Sequence, residues 1–394
     1  VKIAFVTSHP IQYQVPIFRH LAAREDMRFV AMFAMVPDAS RQGVGFGIDF
    51  EWDIPLLEGY DYEVLQNVSK CPSVVNFSGC DTPRIAQTLL DQQIDAVVVN
   101  GWVVKSCLQT LRACRRNKLP CIVRGESNHL RPRPWWKRLA QRKLVRQFDA
   151  YLSIGNANRE FYQSYGVTDQ SLFDARYCVE NERFFEASAS LRGQRAELRR
   201  SWGVPPGATC FLFCGKFEAK KHPIELLHSF REAYLSNHSD RPIYLLMVGD
   251  GELRSECEQI VERYRLPVTF TGFLNQSEIV ASYIASDCLV LPSDHGETWG
   301  LVVNEAMACG MPAIVSSQVG CQSDLVRDHE TGFVFDFGDW PMLTRVILEA
   351  ASDRSRLRQL GQAAQTLIGD YSPSSAADGI VSAARWALSH GSTN

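Results

Sequence analysis

The 394-residue sequence has no apolar run that approaches the ~18–20 residues a membrane-spanning helix needs. Its first residues, "VKIAFVTSHP", hold one basic residue and an apolar run too short for a signal peptide, so they read as a strand that starts at once. There is no Cys-x-x-Cys pair and no Cys/His cluster with zinc spacing, and a structural metal is not expected. The twelve cysteines are scattered from Cys71 to Cys321. Most lie in apolar runs such as "TCFLFCGKF" and "SDCLVLPS", where a free thiol acts as a small hydrophobe, which points to a reducing, cytoplasmic compartment. No Asp-x-Asp pair occurs anywhere to bring a divalent ion to a diphosphate. No Gly-x-Gly-x-x-Gly follows the first strand, which argues against a dinucleotide oxidoreductase. A dominant charge is lacking too: the net charge of −3 gives no reason to expect nucleic acid as a partner. Internal repeats and low-complexity segments are also missing.

What is present is a soluble composition, 45% hydrophobic and 22% charged, in a chain long enough for two domains. Short apolar runs alternate with helix-period segments almost throughout. The strand candidates are "KIAFVT", "FVAMFAM", "DAVVVNG", "PCIVRGE" and "DAYLSIG", then "TCFLFCG", "IYLLMVG", "VTFTG", "DCLVLPS", "PAIVSS" and "GFVFDF". Helical runs fall between them, for example 103–116 and 135–148. This is the βαβ rhythm of parallel sheets covered on both faces. It breaks in the charged stretch 179–200, which sets the expected domains at 1–185 and 186–370. A last helix follows the Ser/Pro signal in 371–394. In doubly wound α/β domains ligands bind at the strand C-terminal ends, here in a cleft between the two.

Three stretches carry chemistry. In "PSDHGETWGLVVNEAMACGMP" (292–312) a strand runs into a loop, and a helix follows from Gly300 to Cys309, with Gly310 as its C-cap and Pro312 beyond. The amides of Thr298 to Leu301 at that helix N-terminus suit a phosphate. Glu297 in the loop and Glu305 one turn below Leu301 can accept hydrogen bonds from sugar and ribose hydroxyls. The bland reading is an acid that complements the helix dipole and a second acid on the surface. In "FCGKFEAKKHPIELL" a strand ends at Gly215, and Lys216 and Lys221 follow where they can neutralise a diphosphate, unless they are merely solvated loop lysines. "MVGDGEL" (247–253) is a further strand–Gly–helix turn, weak evidence alone.

Together and in order, "CGKFEAKKHPIELLHSF", "LLMVGDGEL", "VTFTGFLNQSEI", "LPSDHGETWGLVVNEAMACGMPAIVSSQVG" and "DLVRDHETGFVF" resemble the donor-binding half of family 4 of the retaining glycosyltransferases, over about residues 208 to 340. The resemblance implies the GT-B fold: two Rossmann-like domains facing each other across a cleft, with the C-terminal helix crossing back to the N-terminal domain. It implies a nucleotide-sugar donor in the second domain and a hydroxyl acceptor in the first. Glu297 would approach the transferred sugar and Glu305 would hold the ribose. Lys216, where the family usually has arginine, and Lys221 would hold the diphosphate. Gly296, Thr298, Trp299, Gly300 and Leu301 would line the sugar and phosphate, and Gly215, Gly249, Gly251 and Phe273 the remainder of the donor site. No cofactor or metal is implied.

The first half departs from the family pattern. Its opening loop is "SHPIQYQVP" rather than Gly-rich, so Ser8, His9 and Gln12 would have to supply phosphate or acceptor contacts. Glu126 stands where a histidine often follows the strand "CIVRGE", and His129 reads either as an acceptor contact or as an ordinary loop histidine. The segment "RPRPWWKRLAQRKLVRQF" (131–148) holds seven basic residues and no acid in its first sixteen, with Trp135 and Trp136 at its front. It reads as a membrane-surface helix at the inner face, or a greeting site for a lipid-linked acceptor, or a solvated face. The expected activity is sugar transfer with retention. The rivals are a nucleotide-sugar 2-epimerase of the same fold and a non-catalytic partner subunit.

Overall fold

Two wholly parallel sheets, one in each of two units, organise the computed structural model of the chain, which describes residues 1–42, 48–238 and 241–391. The first unit comprises Val1–Arg41, Pro55–Cys178 and the chain from Tyr371 onward. Its strands are β1 (Lys2–Thr7), β2 (Arg28–Phe33), β3 (Tyr62–Val64), β4 (Ala96–Val99), β5 (Cys121–Arg124), β6 (Ala150–Ser153) and β7 (Leu172–Asp174). They lie in the order β3-β2-β1-β4-β5-β6-β7. The second unit comprises Gln42–Ile54 and Val179–Asp370. It holds β8 (Thr209–Cys214), β9 (Ile243–Val248), β10 (Val268–Gly272), β11 (Cys288–Leu291), β12 (Ala313–Ser316) and β13 (Gly332–Phe335), in the order β10-β9-β8-β11-β12-β13. Central strands such as "AVVV" and "CLVL" are buried at every position because helices cover both faces.

Each sheet reverses its winding once, between β1 and β4 in the first unit and between β8 and β11 in the second. Such a reversal splays the two outgoing loops apart and leaves a crevice at the strand C-terminal ends. Cys288 registers with Phe211 and Leu289 with Leu212, so β8 and β11 end level with each other. Their loops, 215–222 and 292–300, therefore leave side by side.

Two strands were not legible in the pattern, β3 and β7. Both are three-residue edge strands with exposed positions. The charged stretch 179–200, where the βαβ rhythm breaks, holds two helices, Asn181–Leu191 and Arg195–Ser201, that belong to the second unit. The expected boundary at 185 falls inside the first of them, whose Phe184 is fully buried. Charge misled here because Arg195 and Arg199 point inward, onto Asp287 at 2.7 and 3.1 Å. A second correction concerns 48–54, which belong with the second unit: Asn275 Nδ2 donates to the Glu51 carbonyl at 2.7 Å, and the Phe50 and Phe273 rings are 4.3 Å apart.

The last helix, Pro373–His390, is capped by Ser372, whose hydroxyl accepts from the Ser375 amide at 3.2 Å. It packs into the first unit against the helix Val15–Ala22, β6 and β7, burying Ala376, Ile380, Ala383, Ala384 and Ala387. Among the described residues no helix is long and apolar enough to cross a membrane.

Candidate active site

Lys221 ends a single 3-10 turn, Ala219–Lys221, that leads from the β8 loop into the helix Pro223–Ser236. Its aliphatic tail runs beside Gly215, where a Cβ would lie 3.5 Å from Cε. Its ammonium pairs with the Glu297 carboxylate, and the two side chains are only 11% and 14% exposed. The Asp294 amide donates to the Lys220 carbonyl at 2.9 Å, and the Gly320 amide to the Glu297 carbonyl at 3.0 Å, so the backbones of both loops are fixed as well. Neither partner is a solvated loop charge. In so sheltered a place each holds the other's charge, and loss of one leaves the other uncompensated.

Lys216 is half-buried two residues into the same loop. Burial lowers its pKa, opposed by Glu218. The turn 249–251 lies against this loop: Gly215 donates to the Val248 carbonyl at 3.0 Å and Phe217 to that of Asp250 at 2.9 Å. A Cβ at Gly249, where φ is +123°, would lie 2.0 Å from the Gly215 oxygen. Glycine is thus required for the approach of the two turns.

The helix after β11 spans Leu301–Ala308, with Gly300 as N-cap at φ +103°. Trp299 is buried, and its indole nitrogen donates to Asn304 Oδ1 at 2.8 Å, so the ring anchors the helix start while its peptide stands at the helix N-terminus. Gly296 donates to Asp294 Oδ1 at 2.6 Å, and Thr298 is exposed at the loop's tip. Glu305 is no surface acid: Tyr283 Oη donates to it at 2.5 Å, and burial raises its pKa against the pull of Tyr283, Arg183 and Gln276. Phe273 packs its ring against Phe50, with Trp52 of the same 48–54 segment beside them.

Three groups beside these positions escaped the sequence reading. Tyr283 lies in an apolar helix, Ile279–Ala285, where nothing marks its hydroxyl as a partner of Glu305. Arg183 donates to the Gln276 carbonyl at 2.7 Å and sits in the charged stretch where the βαβ rhythm breaks. His222, at φ +50°, bridges Glu225 at 3.2 Å and Asp294 at 3.7 Å, and its pKa is raised first by Glu225. Only the Lys-Lys-His run hinted at it.

In the first unit, Ser8 Oγ and His9 Nδ1 are 2.8 Å apart in the loop after β1, and burial lowers the His9 pKa from 6.5 to about 4. Gln12 is half-buried in the same loop, ahead of Tyr13, whose ring meets Tyr177 edge-on at 5.5 Å. Glu126 accepts a hydrogen bond from the Tyr177 hydroxyl, and the fully buried Arg124 guanidinium lies 4.6 Å from the same ring. His129 is exposed and is held by Ser164 Oγ at 2.7 Å, on the helix Asn156–Ser164. The helix in the basic segment runs Trp135–Val145, with Trp135 74% and Trp136 54% exposed. Among the described residues no cluster of three or more metal-ligating side chains occurs.

A doubly wound second unit with an ammonium–carboxylate pair and a half-buried helix glutamate at its switch point defines a class. Residues 194–367, a little under half of the chain, match the family model of glycosyl transferases group 1. The chain is 32% identical over 310 residues to a D-inositol 3-phosphate glycosyltransferase of Nocardia farcinica, covering 73% of this chain and 64% of that one. It is 29% identical over 189 residues to a sulfoquinovosyl transferase of Arabidopsis thaliana, covering 48% and 34%. It thus spans less than two thirds of the length of either relative. Among solved structures, the Anabaena HepE protein in complex with UDP and glucose superposes with a TM-score of 0.70 at 16% identity, over 96% of this chain and 98% of that one. The fold is GT-B.

Proposed function

We propose that the protein is a retaining glycosyltransferase of family 4 that moves a sugar from a UDP- or GDP-sugar to a hydroxyl acceptor. The Lys221–Glu297 pair, at the level ends of β8 and β11, carries the reading. A donor diphosphate exchanges with Glu297 for the Lys221 ammonium, and the freed carboxylate accepts from the sugar hydroxyls. Lys216 and the amides of the Gly300-capped helix take the remaining phosphate charge. Glu305, held by Tyr283, receives the ribose diol.

In the transfer, the acceptor hydroxyl attacks the anomeric carbon on the face from which the diphosphate leaves. The sugar–phosphate bond breaks, the glycosidic bond forms, and the leaving phosphate oxygen takes the hydroxyl proton. The protein's work is positioning and charge stabilisation, with the lysines in place of a metal. The first unit binds the acceptor, with Glu126 held by Tyr177 and with Ser8, His9 and Gln12 around the β1 loop. The helix Trp135–Val145 rests on the inner membrane face or meets a lipid-linked acceptor there.

The test is a panel of nucleotide-sugars. The true donor at ~100 times its dissociation constant stabilises the protein by about 2.7 kcal/mol. That donor then transfers its sugar to an acceptor with the anomeric configuration kept, in EDTA as well as in magnesium. Isomerisation of the donor without an acceptor would identify an epimerase, and binding without any turnover a partner subunit.

A further inference from the structure

On the opposite edge of the second sheet lies a feature that sugar transfer does not use. Parallel strands bring all their N-terminal ends to one edge, and there Ser286–Asp287 lead into β11 and Gly310–Pro312 into β12. Between these turns, the 3-10 turn Arg192–Gln194 with the start of the helix Arg195–Ser201, and the helix Arg354–Ile368 is a cavity of about 410 Å³. This lies within the ~300–1,000 Å³ range of ligand pockets.

Its charge is one-sided. Four guanidiniums line it, those of Arg192, Arg195, Arg354 and Arg358, against the single carboxylate of Asp287. That carboxylate is already shared: Arg195 reaches it at 2.7 Å, Arg199 at 3.1 Å, Arg354 at 3.2 Å and the Cys210 amide at 2.9 Å. Among the described residues no ion pair joins Arg192 or Arg358 to an acid, and both are exposed at the rim. Guanidiniums gathered around one spent carboxylate repel one another unless an anion joins them, and their planar forks match phosphate oxygens two at a time. Ile284, Met311 and Leu357 supply an apolar floor for a carbon skeleton. The one aromatic residue lining it, Tyr283, has its hydroxyl committed to Glu305, and a nucleobase finds no free ring to stack on.

We propose that this cavity is a second binding site, separate from the donor site, for a small phosphorylated metabolite with at least two negative charges. Arg192 and Arg358 grip the phosphate at the rim, and Arg195 and Arg354, braced by Asp287, hold it from within.

Inorganic pyrophosphate is the probe, compared with sodium chloride at equal ionic strength, and phenylglyoxal labelling read by peptide mass spectrometry reports each arginine. Pyrophosphate is expected to slow the labelling of Arg192 and Arg358 about tenfold or more, as the loss of charge-assisted hydrogen bonds implies. The protection should persist in Lys216→Ala/Lys221→Ala, in which the two lysines proposed to hold the donor diphosphate are removed. Calorimetry on Arg192→Gln/Arg358→Gln, two exposed changes that leave the fold intact, should show a similar loss of affinity in that background. Equal labelling in pyrophosphate and chloride overturns the proposal. So does protection that vanishes with the two lysines, since the effect would then belong to the donor site. Protection by an acidic peptide but not by pyrophosphate would also overturn it, in favour of a protein partner. None of these outcomes depends on whether sugar transfer occurs.

Discussion

The Lys221 ammonium and the Glu297 carboxylate are in contact across the gap between the loops that follow β8 and β11. They are 76 residues apart in the chain and joined by the sheet's change of winding. Because both side chains are largely sheltered, removing one should cost folding stability in addition to function. Lys221→Ala is expected to lose about 3 kcal/mol, the low end for breaking a buried pair. Lys221→Ala/Glu297→Gln should regain much of that, because no charge is then stranded. Urea unfolding of the three proteins reads this directly, and a single variant as stable as wild type would mean the pair is solvated.

The contact between Tyr283 and Glu305 predicts a different balance. Without the hydroxyl, Glu305 keeps its burial but loses the hydrogen bond that favours its carboxylate. Tyr283→Phe should weaken donor binding roughly tenfold, the scale of a hydrogen bond to a charged group. Turnover at saturating donor should barely change, because a ribose contact is the same in ground and transition states. Donor dissociation constants and turnover, measured together, check the split.

His9 makes stability depend on acid. The unfolded chain protonates this ring below about 6.5, whereas the folded protein resists until about 4 because the ring is buried. Stability is therefore full above 6.5 and falls as the pH drops toward 4. The cost is on the order of 3 kcal/mol for such a shift. His9→Gln should flatten that part of the curve. Unfolding free energies of the two proteins from pH 7 to pH 4 give the comparison, and parallel curves would show that His9 titrates freely.

The exposed pair Trp135 and Trp136 sits on a helix that also carries Arg138, Arg142 and Lys143. Vesicles rich in anionic lipid should bind the protein at low salt and release it as salt rises, since each basic residue near such a surface contributes about 1 kcal/mol. Charge reversal of Arg138, Arg142 and Lys143 to glutamate should abolish flotation and leave donor affinity unchanged. Wild type that ignores acidic vesicles at low salt would make this a solvated face.

The long, apolar strands were legible because burial on both faces writes itself as continuous Val, Ile, Leu and Phe. β3 and β7 were not, being short and half-exposed at the sheet edges. The domain boundary placed inside the charged run 179–200 shows the opposite failure, since arginines that bury themselves on a distant aspartate look like surface residues in one dimension. At the site, Lys221, Glu297 and Glu305 stood out because strand ends and helix starts position them by local spacing. Tyr283, Arg183 and the Tyr177–Glu126 contact depend on long-range packing, which no local pattern records. Phe273, given to the donor site by the resemblance alone, has its ring against Phe50 and Trp52 from a segment more than two hundred residues earlier.

The account stands most directly on what Lys221 does when the sugar–phosphate bond breaks. Charge on the departing diphosphate grows in the transition state, so an ammonium at that point should matter more to turnover than to donor binding. Removal of one preorganised electrostatic partner typically costs ~3–4 kcal/mol, or on the order of 10²–10³ in rate. The decisive measurement is single-turnover sugar transfer by Lys221→Ala/Glu297→Gln and by Glu297→Gln alone, each at saturating donor, with donor dissociation constants taken in parallel. The account predicts that adding the lysine change to Glu297→Gln slows transfer by about 10²–10³ while donor affinity weakens far less. Equal rates in the two variants would contradict it, because the lysine would then only neutralise Glu297.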